Sequence, residues 1–196
     1  MIHEPMTLAT DYLLAAVGAA TGVLALRAQD GQKSRRWWGL ALLALALAAA
    51  LGGTHHGFAL EELWRPTVFT AGAASAAMIA GSAFATTRGA VRQGLLAFAA
   101  LELAVFWFWT WHDPRFIWVV ADSGLAFALV ALLHGLKRDA AAGWIVGGVG
   151  LSLAAGGAQA SGFDLHRHFN HNDLYHVIQI AAIAAFYRGV RRMADR

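Results

Sequence analysis

Four histidines fall within eleven positions in H-R-H-F-N-H-N-D-L-Y-H-V-I-Q, the stretch from His166 to Gln179. Imidazole is the commonest metal-binding side chain near neutral pH, and a zinc site needs three or four N or O donors converging from different elements. A second supply of imidazole is G-G-T-H-H-G-F, Gly52 to Phe58, where His55 and His56 are adjacent. The chain has no cysteine. Disulfides, thiolate metal sites, iron–sulfur clusters and a cysteine nucleophile are therefore excluded.

Helical geometry sorts these histidines, because residues four apart share a face and residues five apart diverge by about 140°. Asn172 shares a face with His176, whereas His171 aligns with Tyr175. His171 and His176 reach one ion only if the first turn is irregular or His171 precedes the regular helix. His176 lies a full turn inside and is the leading ligand candidate. Asn170 followed by Asp173 has the pattern of a capping box. His112, in W-H-D-P-R-F, reads as a turn residue beside Asp113 and Pro114.

Acids inside apolar segments form a second constellation: Asp11, Glu102 and Asp122. Each is costly facing lipid, so each is expected to face a protein partner. Asp122 is placed about two turns from its helix end, a depth comparable to His176, where a carboxylate orients a ligand imidazole or holds a water. Glu102, near the middle of its segment, reads as an interhelical hydrogen-bonding acid. Glu61 and Glu62 read as solvated loop residues.

The elements that must position these groups follow from composition. With 58% hydrophobic and 14% charged residues in 196, polar surface is too scarce to cover a soluble globule. Apolar runs of about bilayer length occur at Thr7 to Leu26, Trp37 to His56, Pro66 to Thr87, Gln93 to Trp111, Phe116 to Leu136, Ala140 to Ala160 and Asn170 to Val190. The fold expected is all-α, one domain over residues 1–196: an integral membrane bundle of seven transmembrane helices. Of the 15 Lys and Arg residues, only Arg65, Arg115 and Arg167 fall at the ends facing one side, and the other twelve face the opposite side. That asymmetry puts the N-terminus outside and the C-terminus in the cytoplasm. It also accounts for the net charge of +3, so no nucleic-acid partner is needed. The first apolar run lacks a basic leader and a small-residue cleavage site, and reads as a retained helix.

With this topology His55, His56, His112, His166, His168, His171 and His176 all lie at outer helix ends. Trp37, Trp38, Trp107, Trp109, Trp111, Trp118 and Trp144 fall near span ends and read as interfacial belt residues. Small residues crowd the third span from Ala71 and the sixth from Gly147 to Gly157, and read as helix-packing faces. The latter glycines follow no strand and precede no Lys-Ser/Thr, so a nucleotide loop is rejected.

Taken together, these residues resemble the superfamily that joins alkaline ceramidases, adiponectin and progestin receptors and Per1-type lipid-remodelling proteins (the CREST superfamily). Its pattern is Ser-x-x-x-His ending the second helix, an Asp near the start of the third, and His-x-x-x-His opening the seventh. N-D-L-Y-H-V-I, Asn172 to Ile178, looks like the seventh-helix motif, and His56 or His55 would be the second-helix histidine. Three positions depart from the pattern: Asn172 stands where the first seventh-helix histidine is expected, Gly52 where the serine is, and Thr67 where the aspartate is.

The resemblance implies a zinc-dependent, ceramidase-like membrane hydrolase of a lipid amide or ester bond at the outer leaflet. It would sit in the bilayer, expected to be a bacterial inner membrane with the site facing the periplasm. Zn2+ would be held by His56, His171 and His176, with His168 or His55 in reserve. Asp122 would position water or an imidazole, and Thr54 or Asn172 would donate to the developing oxyanion. The alternative is a non-catalytic zinc-binding receptor-like or sensor protein, and a third reading is haem held by histidines from two helices. A retinal Schiff base is excluded because the only lysines, Lys33 and Lys137, lie outside the spans.

Overall fold

Long apolar stretches separated by short polar breaks fold into seven helices in a computed structural model that describes residues 2–196. They are α1 (Pro5–Arg27), α2 (Lys33–Phe58), α3 (Trp64–Thr86), α4 (Gly89–His112), α5 (Phe116–Lys137), α6 (Ala142–Ala160) and α7 (His171–Val190), with a single 3-10 turn Glu61–Leu63 before α3. All seven expected segments are helical. Five are long and apolar enough to cross a membrane, namely α1, α2, α3 with its preceding turn, α4 and α5. This is the build of a membrane protein. The apolar character of α6 is diluted by glycine, and that of α7 by the polar residues of its first half.

Breaks between helices have local causes. Asp30 and Gly31 both take positive φ between α1 and α2, which an α-helix cannot continue through. Asn170 starts α7 by a complete capping box: its side chain accepts from the backbone N–H of Asn172 and Asp173, and the Asp173 carboxylate accepts from its N–H. The capping reading of that pair is correct, and it spends one Asp173 oxygen on the backbone.

The helices α1, α2, α3, α5, α6 and α7 neighbour one another in a ring that closes where α1 packs on α7, while α4 lies outside it against α3. Trp38, Leu42, Met78, Val130, Ile145, Ile183 and Phe186 meet in the shared core. Trp38 and Phe186 have ring centroids 5.2 Å apart. Trp38 corrects the belt reading: it is fully buried, and its indole N–H donates to Ser82 Oγ at 3.2 Å. Trp37, Trp107, Trp109 and Trp111 are exposed in keeping with that reading.

Of the two small-residue segments, α3 is a packing face throughout, the most buried of the five long apolar helices. The α6 glycines are not. Gly148 alone meets a neighbour, the Phe186 ring, while Gly147, Gly150, Gly156 and Gly157 face open space. Close packing elsewhere is on α1 and α2, where Gly53 lies so near Asp11 that a Cβ on it would stand 2.6 Å from the Asp11 Cβ.

Candidate metal centre

Closure of the ring through α1 and α7 brings Asp11 against His176. Asp11 Oδ1 is 3.1 Å from His176 Nε2, and both side chains are over nine-tenths buried, 6% and 9% exposed. On the other side of the ring, His176 Nδ1 is 3.0 Å from Thr10 Oγ1. The Thr10 hydroxyl also lies 3.1 Å from the Thr7 carbonyl and 3.3 Å from Asp173 Oδ1. The α7 cap and the α1 network thus share one carboxylate.

Two proton arrangements satisfy this geometry. Either Thr10 donates to Nδ1 and Nε2–H donates to Asp11, or Nδ1–H donates to Thr10, whose own proton goes to Asp173 or Thr7, and a protonated Asp11 donates to Nε2. In the second, the bare Nε2 lone pair faces Asp11, which is the state in which imidazole ligates a metal while its other nitrogen is held by hydrogen bonding. Asp11 Oδ2 is buried with no hydrogen-bond partner. An orphaned carboxylate oxygen beside an imidazole nitrogen is the kind of vacancy in a hydrogen-bond network that a cation satisfies.

His56, at the end of α2, is within electrostatic reach of His176. Its Nδ1 lies 4.0 Å from Glu4 Oε1. Glu4 precedes α1, and the neighbouring His3 N–H donates to the Gly57 carbonyl at 2.9 Å, strapping this segment to the end of α2. Asp11 and His176 are thus in direct contact from α1 and α7, with His56 at the neighbouring end of α2 as a third donor of a kind suited to zinc. No group of three His, Asp or Glu side chains is drawn together tightly enough to hold an ion among the described residues.

The other candidate ligands have different partners. His171 Nδ1 is 2.9 Å from Asp164 Oδ1, and the same oxygen accepts the His171 backbone N–H at 3.0 Å. Hydrogen bonding from His171 holds the Asp164 carboxyl below its usual range. His168 Nε2 accepts from Arg167 Nε at 2.9 Å in an exposed loop. His55 Nδ1 lies 3.0 Å from the Leu60 carbonyl, and its ring packs 5.3 Å from Trp64.

The residues assigned to water and oxyanion handling have the following partners. Thr54 donates to the Ala50 carbonyl at 2.7 Å, so at 3.0 Å it accepts from the Tyr12 hydroxyl and has no second proton to offer. Asn172 accepts at Oδ1 from Gln159 of α6 at 3.0 Å, which turns its amide toward α6 while keeping its Nδ2 hydrogens to donate. Asp122 is buried next to Glu102 and Ser75, and the side-chain packing of α5 on α7 runs through Phe127 and Phe186, near the end of α7 away from His176. The matching depth of Asp122 and His176 did not carry them to one place, because depth says nothing of position around the ring. Asp11 is the carboxylate that meets His176; the signal for it was an acid in an apolar helix facing an unknown partner.

A family model described as a family of unknown function (DUF6962) matches residues 6–195, and the chain belongs to that family. No curated protein and no solved structure matches it.

Proposed function

We propose that this DUF6962 protein is a seven-span membrane hydrolase, N-terminus outside and C-terminus in the cytoplasm. It would act on a lipid amide or ester through zinc held by His176, Asp11 and His56. The carrying observation is the Asp11–His176 pair, buried between α1 and α7 with Asp11 Oδ2 left unpartnered. This ligand set replaces His171 with Asp11, and leaves His168 and His55 outside the site. The motif resemblance to the ceramidase and adiponectin-receptor superfamily and the clustering of histidines at outer helix ends support it. They also favour the outer leaflet, and a periplasm-facing site if the membrane is a bacterial inner membrane.

Zinc bound there would supply Lewis acidity toward a carbonyl at neutral pH. The protein's own contribution is orientation. Thr10 and Asp173 fix the His176 ring, the Asn170 cap fixes Asp173, and the close approach at Gly53 fixes Asp11 against α2. Glu4, half-exposed beside His56, is placed to exchange protons with water.

Metal analysis of detergent-purified protein tests this, with hydrolysis scored on a panel of ceramide-type amides and glycerolipid esters. About one zinc per chain is expected, lost together with hydrolysis in His176→Ala. Full retention of zinc in that variant rejects the assignment. A non-catalytic zinc-braced module is the second reading, favoured by Gly52 standing where the superfamily has serine. Zinc-loaded protein inert across the panel selects it.

A further inference from the structure

At the end of the bundle away from His176, Thr21 of α1 and the last turns of α7 with the residues after it border a cavity of about 590 Å³ lined by Thr21, Ala184, Tyr187, Arg188, Arg191 and Arg192. We propose that this cleft binds the phosphate headgroup of an anionic membrane lipid. Three guanidiniums border one cavity, and none of the three makes an ion pair among the described residues, whereas Arg35, Arg115 and Lys137 pair with Asp30, Asp113 and Asp139. Arginines crowded together without a counter-charge repel one another, and a phosphate relieves that repulsion through bidentate hydrogen bonds.

The arginines are also aimed. Arg188 and Arg192 lie over the Trp144 ring, 5.0 and 5.4 Å from its centroid, and Arg192 donates to the Arg188 carbonyl at 2.8 Å. This cation–π shelf from α6 holds two guanidiniums on one side of the cleft at reduced entropic cost. Thr21 spends its hydroxyl on the Val17 and Gly18 carbonyls of its own helix. It therefore adds a small wall and leaves phosphate recognition to the arginines and Tyr187.

A lipid fits better than a soluble anion because the cleft runs on past the charges. Ala184 lies one turn before Arg188 on α7 and is exposed, and Val17 lies one turn before Thr21 on α1 and is half-buried. An acyl chain leaving the headgroup would follow these apolar positions into the bilayer. The proposal rests on α7 spanning the membrane and is independent of zinc.

The test is native mass spectrometry and thermal unfolding of the purified chain in neutral detergent, with phosphatidylglycerol, phosphatidylcholine or inorganic phosphate added. Phosphatidylglycerol is expected to remain bound and raise the Tm, and phosphatidylcholine is not. Arg188→Gln/Arg191→Gln/Arg192→Gln should weaken phosphatidylglycerol binding about a hundredfold, and Arg192→Gln alone about fivefold, with each variant's Tm gain read against its own Tm in phosphatidylcholine. The double variant Arg36→Gln/Arg88→Gln, which removes exposed basic residues outside the cleft, should bind as wild type. Equal loss in that double variant, undiminished binding in the triple variant, or equal protection by millimolar inorganic phosphate would each overturn the proposal. Loss of zinc in His176→Ala leaves it untouched, so the two readings fail separately.

Discussion

Asp11 of α1 and His176 of α7 meet at 3.1 Å across the seam that closes the helix ring, with Asp11 Oδ2 left without a partner. Removing either side chain strands the other in a buried site, which costs about 1–3 kcal/mol. Asp11→Asn keeps the shape and removes the charge. It should cut bound zinc at least about tenfold while lowering stability less than Asp11→Ala does. Zinc stoichiometry and detergent unfolding measured on the same preparations separate the two effects; wild-type zinc content in Asp11→Asn rejects Asp11 as a ligand.

Gly53→Ala should act on the same site without touching a donor atom. The new Cβ would fall 2.6 Å from the Asp11 Cβ, so α1 must shift, at a cost of about 1–3 kcal/mol. At Gly52 the nearest atom to an added Cβ is Thr67 Cγ2 at 3.4 Å, an ordinary contact. Gly52→Ala is therefore expected to unfold and bind metal as wild type, while Gly53→Ala loses both stability and zinc. Similar behaviour of the two variants contradicts the close-approach account.

The helices were legible because each is a long apolar run, and composition alone carries that signal. Ring order was not. It decided that Asp122 meets Glu102, and that Asp11, far away in sequence, meets His176. The histidine-rich stretch lies at the end of α7 that holds the Asp11–His176 pair, yet only His176 of that stretch's histidines is buried; His171 is taken by Asp164. Trp38 was misplaced for a related reason: a tryptophan near a helix end satisfies the interfacial rule and the core equally well, and only the facing Ser82 and Phe186 choose between them. Gly53 carried no signal at all, since its role exists only once α1 lies across it.

The connection into α7 has a pH dependence whose sign follows from Asp164. Hydrogen bonding from His171 lowers the Asp164 carboxyl from its ordinary value of 3.8. A depressed acid stabilises the folded loop fully above that ordinary value, and the stabilisation is lost as pH falls through the lower folded value. Amide exchange at residues 164–171 should therefore show added opening as pH falls below about 4. Asp164→Asn should exchange fast at every pH. A wild-type loop whose opening does not change across that window contradicts the pairing.

The opposite end of the core offers a test that leaves the metal centre alone. Ser82 Oγ accepts from Trp38 Nε1 at 3.2 Å and lies 3.3 Å from His134 Nε2, and Ser82 and His134 are both fully buried. Ser82→Ala leaves the Trp38 donor and the His134 nitrogen without that partner in a site water does not reach, at a cost of about 1–3 kcal/mol. Trp38→Phe removes the donor and keeps most of the ring, so in the double variant the penalty for an unpaired indole N–H disappears. The two substitutions should couple by about 0.5–1.5 kcal/mol in a thermal-unfolding cycle, with zinc content unchanged in all three variants. Strict additivity would mean that Ser82 does not hold Trp38, and the core would then owe its arrangement to the Trp38–Phe186 packing alone.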